Sequence, residues 1–186
     1  MRTGARSGER GSAMVVMLIV LVALGTIAGL TVVSVQGGAA AANAQRFSSM
    51  ALYAAESGAA AAMQFLKANV HRPAPPSPVT DQYFSALVEP DNVSPQSPQG
   101  IPGNNVQPGT PGNLLSDDQQ GWYEVTLLNN PGDPGLAAGN DTDGIIIIQV
   151  TGHGPNGAVK KLVWEVRSLT GVANQPLVLL GWREVF

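Results

Sequence analysis

Residues 14–35 read MVVMLIVLVALGTIAGLTVVSV, and no charged side chain occurs between Arg10 and Arg46. An apolar run of about 20 residues is long enough to cross a hydrocarbon layer as a helix. Backbone groups in lipid have to bond within their own segment, which leaves the α-helix as the conformation for this stretch. Arg2, Arg6 and Arg10 stand just before it. The positive-inside bias then keeps that end in the cytoplasm and sends the C-terminal part of the chain outward.

Three readings of this segment compete. A plain single-span anchor accounts for the composition alone. A secretory signal peptide would use Ala42-Asn43-Ala44 ahead of Gln45, an A-x-A pattern. Against it, the apolar region exceeds the usual h-region of about 7–15 residues. A type III (prepilin) signal would lose a hydrophilic leader ending at Gly11 on the cytoplasmic side and keep the helix.

The residues around the junction carry a resemblance. Glu9-Arg10-Gly11-Ser12-Ala13-Met14-Val15-Val16-Met17-Leu18-Ile19-Val20-Leu21 is similar to the N-terminus of type IV pilin-like proteins. In particular it resembles the PilX-type minor pilins and the related K-type minor pseudopilins. Further on, Ala54-Ala55-Glu56-Ser57-Gly58-Ala59-Ala60 resembles the AAE-x-G stretch of that group. The likeness covers residues 9–66.

The resemblance implies cleavage between Gly11 and Ser12 by a prepilin peptidase, followed by methylation of the new N-terminus. It implies a single-pass protein of the bacterial inner membrane with a periplasmic C-terminal domain. On assembly the subunit would move to the pilus tip and cell surface, with adhesion or twitching motility as the outcome. The implied partners are other minor pilins, the major pilin, the inner-membrane assembly platform and a tip adhesin. The same features fit a minor pseudopilin of a type II secretion system. A soluble binding module released after Ala44 is the alternative from another class.

One position departs from the common pilin pattern. Most pilins carry Glu at the fifth residue after the cut, thought to pair with the N-terminal amine of a neighbour. Counted from Ser12, the fifth residue here is Val16. A charge at helix-centre depth costs about 2.5–3.5 kcal/mol on insertion scales, so a fibre tolerates it when it is paired. A subunit lacking that carboxylate cannot neutralise a neighbour's amine, and it suits a unique position better than repeated stacking. PilX-type and K-type members also tend to lack this Glu.

The helix is expected to run from 12 to 71, with 12–35 as its membrane and assembly part. At 1.5 Å per residue that is about 90 Å. Gly25 and Gly29 have the small-xxx-small spacing that lets helices approach closely in lipid. Phe47, Met50, Ala51, Ala54, Gly58, Ala61, Ala62 and Phe65 fall near helical spacing and predict a face that packs on a C-terminal sheet. Pro73 stops the helix. Glu56 is the single acid between Glu9 and Asp81, a candidate assembly contact with an adjacent subunit or an exposed, solvated side chain.

Beyond the helix, residues 72–120 form an irregular connection. Ten of the fourteen prolines lie between 73 and 111, and a short helical or extended piece is expected at 81–88. Residues 121–186 predict an antiparallel β-domain. Its strands are Trp122–Leu128, Ile145–Thr151, Val159–Ser168 and Leu177–Val185. The second is apolar enough to be buried on both faces. Gly152 to Gly157 reads as a hairpin connection with Asn-Gly turn chemistry. The fold class is therefore α+β: a leader at 1–11, a long N-terminal helix, and a small antiparallel sheet packed on it.

Composition narrows the chemistry. The chain has 186 residues and a net charge of -3. From Ser12 onward seven Lys and Arg face twelve Asp and Glu, so a nucleic-acid partner is not expected. There is no cysteine and hence no disulfide or thiol chemistry. No nucleophile motif, phosphate loop or dinucleotide fingerprint is present, and neither catalytic residues nor a cofactor are expected. The metal candidate is calcium at Asp141-Thr142-Asp143-Gly144, through Asp141 and Asp143, with Asp133 as a further ligand. Hard carboxylate oxygens suit that ion, whereas Asp and Gly before a strand are also ordinary turn residues. His71 and His153 lack ligand partners at zinc spacing.

Overall fold

The computed structural model describes residues 9–72, 83–88, 100–114 and 120–185, with side chains from Ser12. The leader before Glu9, Pro73, Asp81 and most of the Pro-rich connection lie outside the described residues. The chain divides into two compact units, residues 1–45 and 46–186.

Helix α1 runs Glu9–Asn69. In the first unit its side chains from Ser12 to Gln45 are exposed. It is long and apolar enough to cross a membrane, with a mean hydropathy of 2.7. Two hydroxyls on this stretch bond back to the helix, Thr26 Oγ1 to the Ala23 carbonyl and Thr31 Oγ1 to the Ile27 carbonyl, each at 2.8 Å. Such internal bonding satisfies a polar side chain where water is absent.

The helix ends two residues earlier than the sequence suggests. The Val70 amide closes the last turn on the Leu66 carbonyl at 2.9 Å. His71 then pairs as an isolated bridge with Tyr83. Arg72 precedes Pro73, and the ring of a proline disfavours helix in the residue before it.

The second unit builds its core from the rest of α1 and one sheet. The strands are β1 Trp122–Asn129, β2 Ile145–His153, β3 Val159–Ser168 and β4 Leu177–Val185. All neighbours are antiparallel, in the order β1-β2-β3-β4. The sheet is thus a meander packed on a long helix, an α+β arrangement. Val125, Leu127, Ile146, Ile148, Val150, Leu162 and Val166 point into the core, joined by Phe84, Val88 and Ile101 from the connection.

Two expectations need correction. Strand β2 is not buried on both faces: burial alternates along it, with Ile146, Ile148 and Val150 inside and Ile145, Ile147 and Gln149 half-buried. The four consecutive isoleucines carry no alternation, and coverage of one sheet face decides which two go inside. The same strand continues through Gly152 and His153, so the connection to β3 begins at Gly154. There Asn156 (φ 54°) and Gly157 (φ 73°) supply the left-handed pair expected of Asn-Gly.

The helix face is also rotated from its expected position. Ala51, Ala54, Ala55, Gly58, Ala59, Ala62, Leu66 and Val70 are buried, whereas Phe47, Met50, Ala61 and Phe65 are half-covered. The reason is a close approach between backbones. A Cβ placed on Gly152 would stand 2.1 Å from the Ala51 carbonyl oxygen and 2.5 Å from the Ala55 nitrogen. One on Gly154 would stand 2.6 Å from the Phe47 carbonyl oxygen. On the helix side, a Cβ on Gly58 would meet Tyr123 and Val150 at 2.7 Å. Small residues on both surfaces therefore set which helix face meets the sheet.

Gly152→Ala is expected to destabilise the chain by about 3 kcal/mol, the upper range for overpacking a tight core, because rigid backbone is what the methyl strikes. Gly181→Ala on β4, where nothing lies within 4 Å, should change stability by less than about 0.5 kcal/mol. Urea unfolding of the two variants in micelles checks the contrast; equal midpoints would refute it.

Candidate functional site

The residues singled out from sequence fall in three places. Gly11 and Ser12 lie within α1. Val16 is 57% exposed, among apolar neighbours that are equally open. Gly25 and Gly29 have nothing within 4 Å of a built Cβ, so both present bare backbone on the helix surface.

The stretch Ala54-Ala55-Glu56-Ser57-Gly58 splits by role. Ala54, Ala55 and Gly58 are buried beneath the sheet, while Glu56 and Ser57 are exposed. Ser57 Oγ donates to the Tyr53 carbonyl at 2.8 Å. Glu56 makes no ion pair among the described residues. The small residues of this stretch thus serve packing, and its carboxylate faces outward.

The third place is the β1–β2 loop. Asp133, Asp141 and Asp143 bring one carboxylate oxygen each to within 4.8 Å of one another. Sequence spacing suggests Asp141 and Asp143 with Asp133 as a further member, and the fold brings Asp133 to them from the Pro-Gly-Asp-Pro-Gly turn. Asp141 is fully buried and Asp133 is 5% exposed.

Every carboxylate oxygen of the three has a donor. Asp133 Oδ1 accepts the Gly135 amide at 2.7 Å and the Thr142 hydroxyl. Its Oδ2 accepts the Thr142 amide at 2.8 Å and Asn129 Nδ2 at 3.2 Å. Asp141 accepts the Gly144 amide at 2.9 Å and the Phe84 amide at 3.1 Å. The Asp141 amide in turn donates to Ser85 Oγ at 2.8 Å. Asp143 accepts the Ile145 amide at 2.9 Å and Asn130 Nδ2 at 3.0 Å. The cluster therefore ties the 83–88 segment to the head of β2. Phe84, Ser85, Asn129 and Asn130 were not legible as parts of it, because their partners lie far off in sequence or act through side-chain amides.

The two buried acids differ in protonation. Burial pushes the Asp141 carboxyl up to about 7, with the charges of Asp133 and Asp143 adding to the rise and the Gly144 and Phe84 amides opposing it. Burial also works against ionising Asp133. Its bonds from Thr142, Gly135 and Asn129 outweigh that effect and hold its carboxyl below the usual range.

His153, read as a turn residue from sequence, lies on β2. Its ring stacks on Trp122 at 3.9 Å between centroids, and Nε2 is 3.8 Å from Glu124 Oε2. Neither His153 nor His71 belongs to the acidic cluster. No family model, curated protein or solved structure matches the chain.

The protonation of the cluster predicts a pH profile for the chelator-treated chain. Asp133 is depressed in the fold, so its contribution is present above its unfolded value and lost as pH falls through the folded one. Asp141 is raised, so the folded chain holds a proton that the unfolded chain has released. Stability should therefore peak near pH 4 and fall towards pH 7 by on the order of 1 kcal/mol per pH unit. Asp141→Asn should flatten that fall in urea titrations at stepped pH. An unchanged slope in the variant would assign the effect to another group.

Proposed function

We propose that the chain is a minor pilin of a type IV pilus, of the PilX type. It is cut between Gly11 and Ser12 by a prepilin peptidase and methylated at the new N-terminus. It waits in the bacterial inner membrane with its β-domain in the periplasm. With other minor pilins it primes assembly on the inner-membrane platform, then sits at or near the tip, where it supports an adhesin, adhesion or twitching motility. Its role is structural rather than catalytic.

The observation that supports this reading is the single helix α1. Its first part exposes an apolar, charge-free surface, and its second part lays a small-residue face on a four-stranded meander. An anchor alone has no need for the helix to continue into the folded domain. A fibre subunit needs both parts, since the apolar part packs with other helices while the domain is displayed.

Val16 supports the special position. The site where a shaft subunit carries a carboxylate is apolar here, and its neighbours Met14, Val15, Met17 and Leu18 are exposed hydrophobics. Exposed glycines at 25 and 29 suit the close helix approaches of such a bundle.

Mass spectrometry of the mature chain tests the reading. A methylated Ser12 at the N-terminus is the expected result. An N-terminal Gln45 would overturn it in favour of a secreted module, and an intact Met1 would favour a plain anchor. Deletion should abolish surface fibres; loss of an exported enzyme with fibres intact would instead assign the chain to a type II secretion system. Val16→Glu is expected to disturb priming or to let the subunit enter the shaft, visible by immunogold labelling along fibres.

A further inference from the structure

We propose that the free edge of β4 docks an extended, acidic segment of another protein, which adds to the sheet as a further strand. The inference concerns the β-domain alone and does not rest on the fibre reading.

The bare backbone carries the first part. The order β1-β2-β3-β4 leaves two sheet edges. That of β1 is closed at its head by the chain itself. The Asn105 amide donates to the Tyr123 carbonyl at 2.9 Å, and the Val125 amide donates to Asn104 Oδ1 at 2.7 Å. Along the outer side of β4 no backbone bond is made among the described residues. A row of unpaired amides and carbonyls is a template for another strand.

The side chains do little to guard it. Edges are commonly blunted by Lys or Pro, and β4 has neither. Val178, Leu179, Leu180, Trp182 and Val185 are exposed, Trp182 by 67%. The bulge at Glu165 and Val166 leaves Leu180 without a partner on β3. A bent edge of this kind suits a matching strand rather than indiscriminate pairing.

Charge decides the occupant. Cross-strand partners share a sheet face. Trp182 pairs with Trp164 and Leu179 with Val166, on the face that buries Leu162 and Val166, and the Lys160–Glu184 ion pair closes its end. The opposite face carries Lys161, Arg167 and Arg183 against Glu165. Those three cations make no ion pair among the described residues. Strands β3 and β4 hold four of the seven Lys and Arg after Ser12 but two of the twelve acids. The edge is thus basic in an otherwise acidic chain. Between Glu165 and Arg183, Gly181 opens a groove of about 300 Å³ over Ile147 and Val163, room for one large side chain of the partner. The fitting segment alternates apolar residues against Trp182 and Leu179 with acidic ones against Arg183 and Arg167. A second copy fits poorly, since two β4 edges would set two basic faces side by side.

The test uses the full chain in detergent micelles. Its probe is a fluorescein-labelled nine-residue peptide alternating valine with glutamate and threonine. Anisotropy should give a Kd of about 1–100 μM, in keeping with an interface below standard size. Lysine in place of glutamate should weaken binding about tenfold or more. N-methylation of the central amides, which removes ladder donors, should abolish it. Arg183→Glu, at an exposed position, should reverse the preference between the acidic and the basic peptide, and Trp182→Ala should weaken binding about fivefold. Hydrogen exchange of the β4 amides should slow on binding, with circular dichroism confirming that each variant is folded. The proposal is overturned if the folded wild type binds nothing up to about 1 mM peptide. Equal binding of the N-methylated peptide, or an unchanged preference in Arg183→Glu, would also overturn it. A dimer in sedimentation that protects the same amides would give the edge to a second copy instead, and protection by anionic lipid doped into the micelles would give it to a membrane surface.

Discussion

The fold of the second unit depends on one steric constraint, the contact of helix backbone with sheet backbone at Ala51, Ala55, Gly152 and Gly154. No side chain fits between these surfaces, as the 2.1 Å separation of a built Gly152 Cβ from the Ala51 oxygen shows. Larger residues here would lift the helix and open the layer that Leu66, Val125, Ile148 and Val150 fill. Interiors pack to crystal-like density, and a gap of even one methylene is felt. The alanines of this helix segment are thus a surface shaped for approach rather than a filler of high helix propensity.

The same helix meets two environments along its length. From Ser12 to Gln45 its side chains are exposed and, through Val35, overwhelmingly apolar, suited to lipid or to other helices. From Arg46 it has one face against the sheet and one towards solvent. The Ala-Ala-Glu-x-Gly stretch sits in the second part, where its small residues meet the sheet and its acid remains outside. A motif read as a family marker therefore has a packing reason, and Glu56 is the part of it that stays exposed.

At one end of the sheet a second interaction holds the chain together. The acid cluster binds Phe84 and Ser85 to the β1–β2 loop, and Phe84 is among the fully buried side chains of the core. A segment of the irregular connection is thereby pinned by polar contacts to the strand that carries Ile146 and Ile148. Carboxylates do here what apolar burial does elsewhere, but they bring charge into the interior. The raised Asp141 and the unpartnered Asn130 oxygen both follow from that placement.

By itself the sequence determined the elements. The charge-free run after Arg10 could be little other than a helix, because apolar surroundings leave backbone groups no external partner. The β-domain strands were legible from β-branched runs between turn residues, and the Asn156-Gly157 turn from its need for positive φ. Tertiary structure decided which faces those elements turn inward. Alanine at nearly every position leaves the buried stripe of a helix undetermined until two glycines of a strand admit its backbone. Four isoleucines in a row leave the inner pair undetermined until one face of the sheet is covered. Asp133 was legible as a companion of Asp141 and Asp143, but the reach of the Asn130 amide to Asp143 and the bonds of Asp141 with Phe84 and Ser85 are contacts that spacing along the chain does not encode.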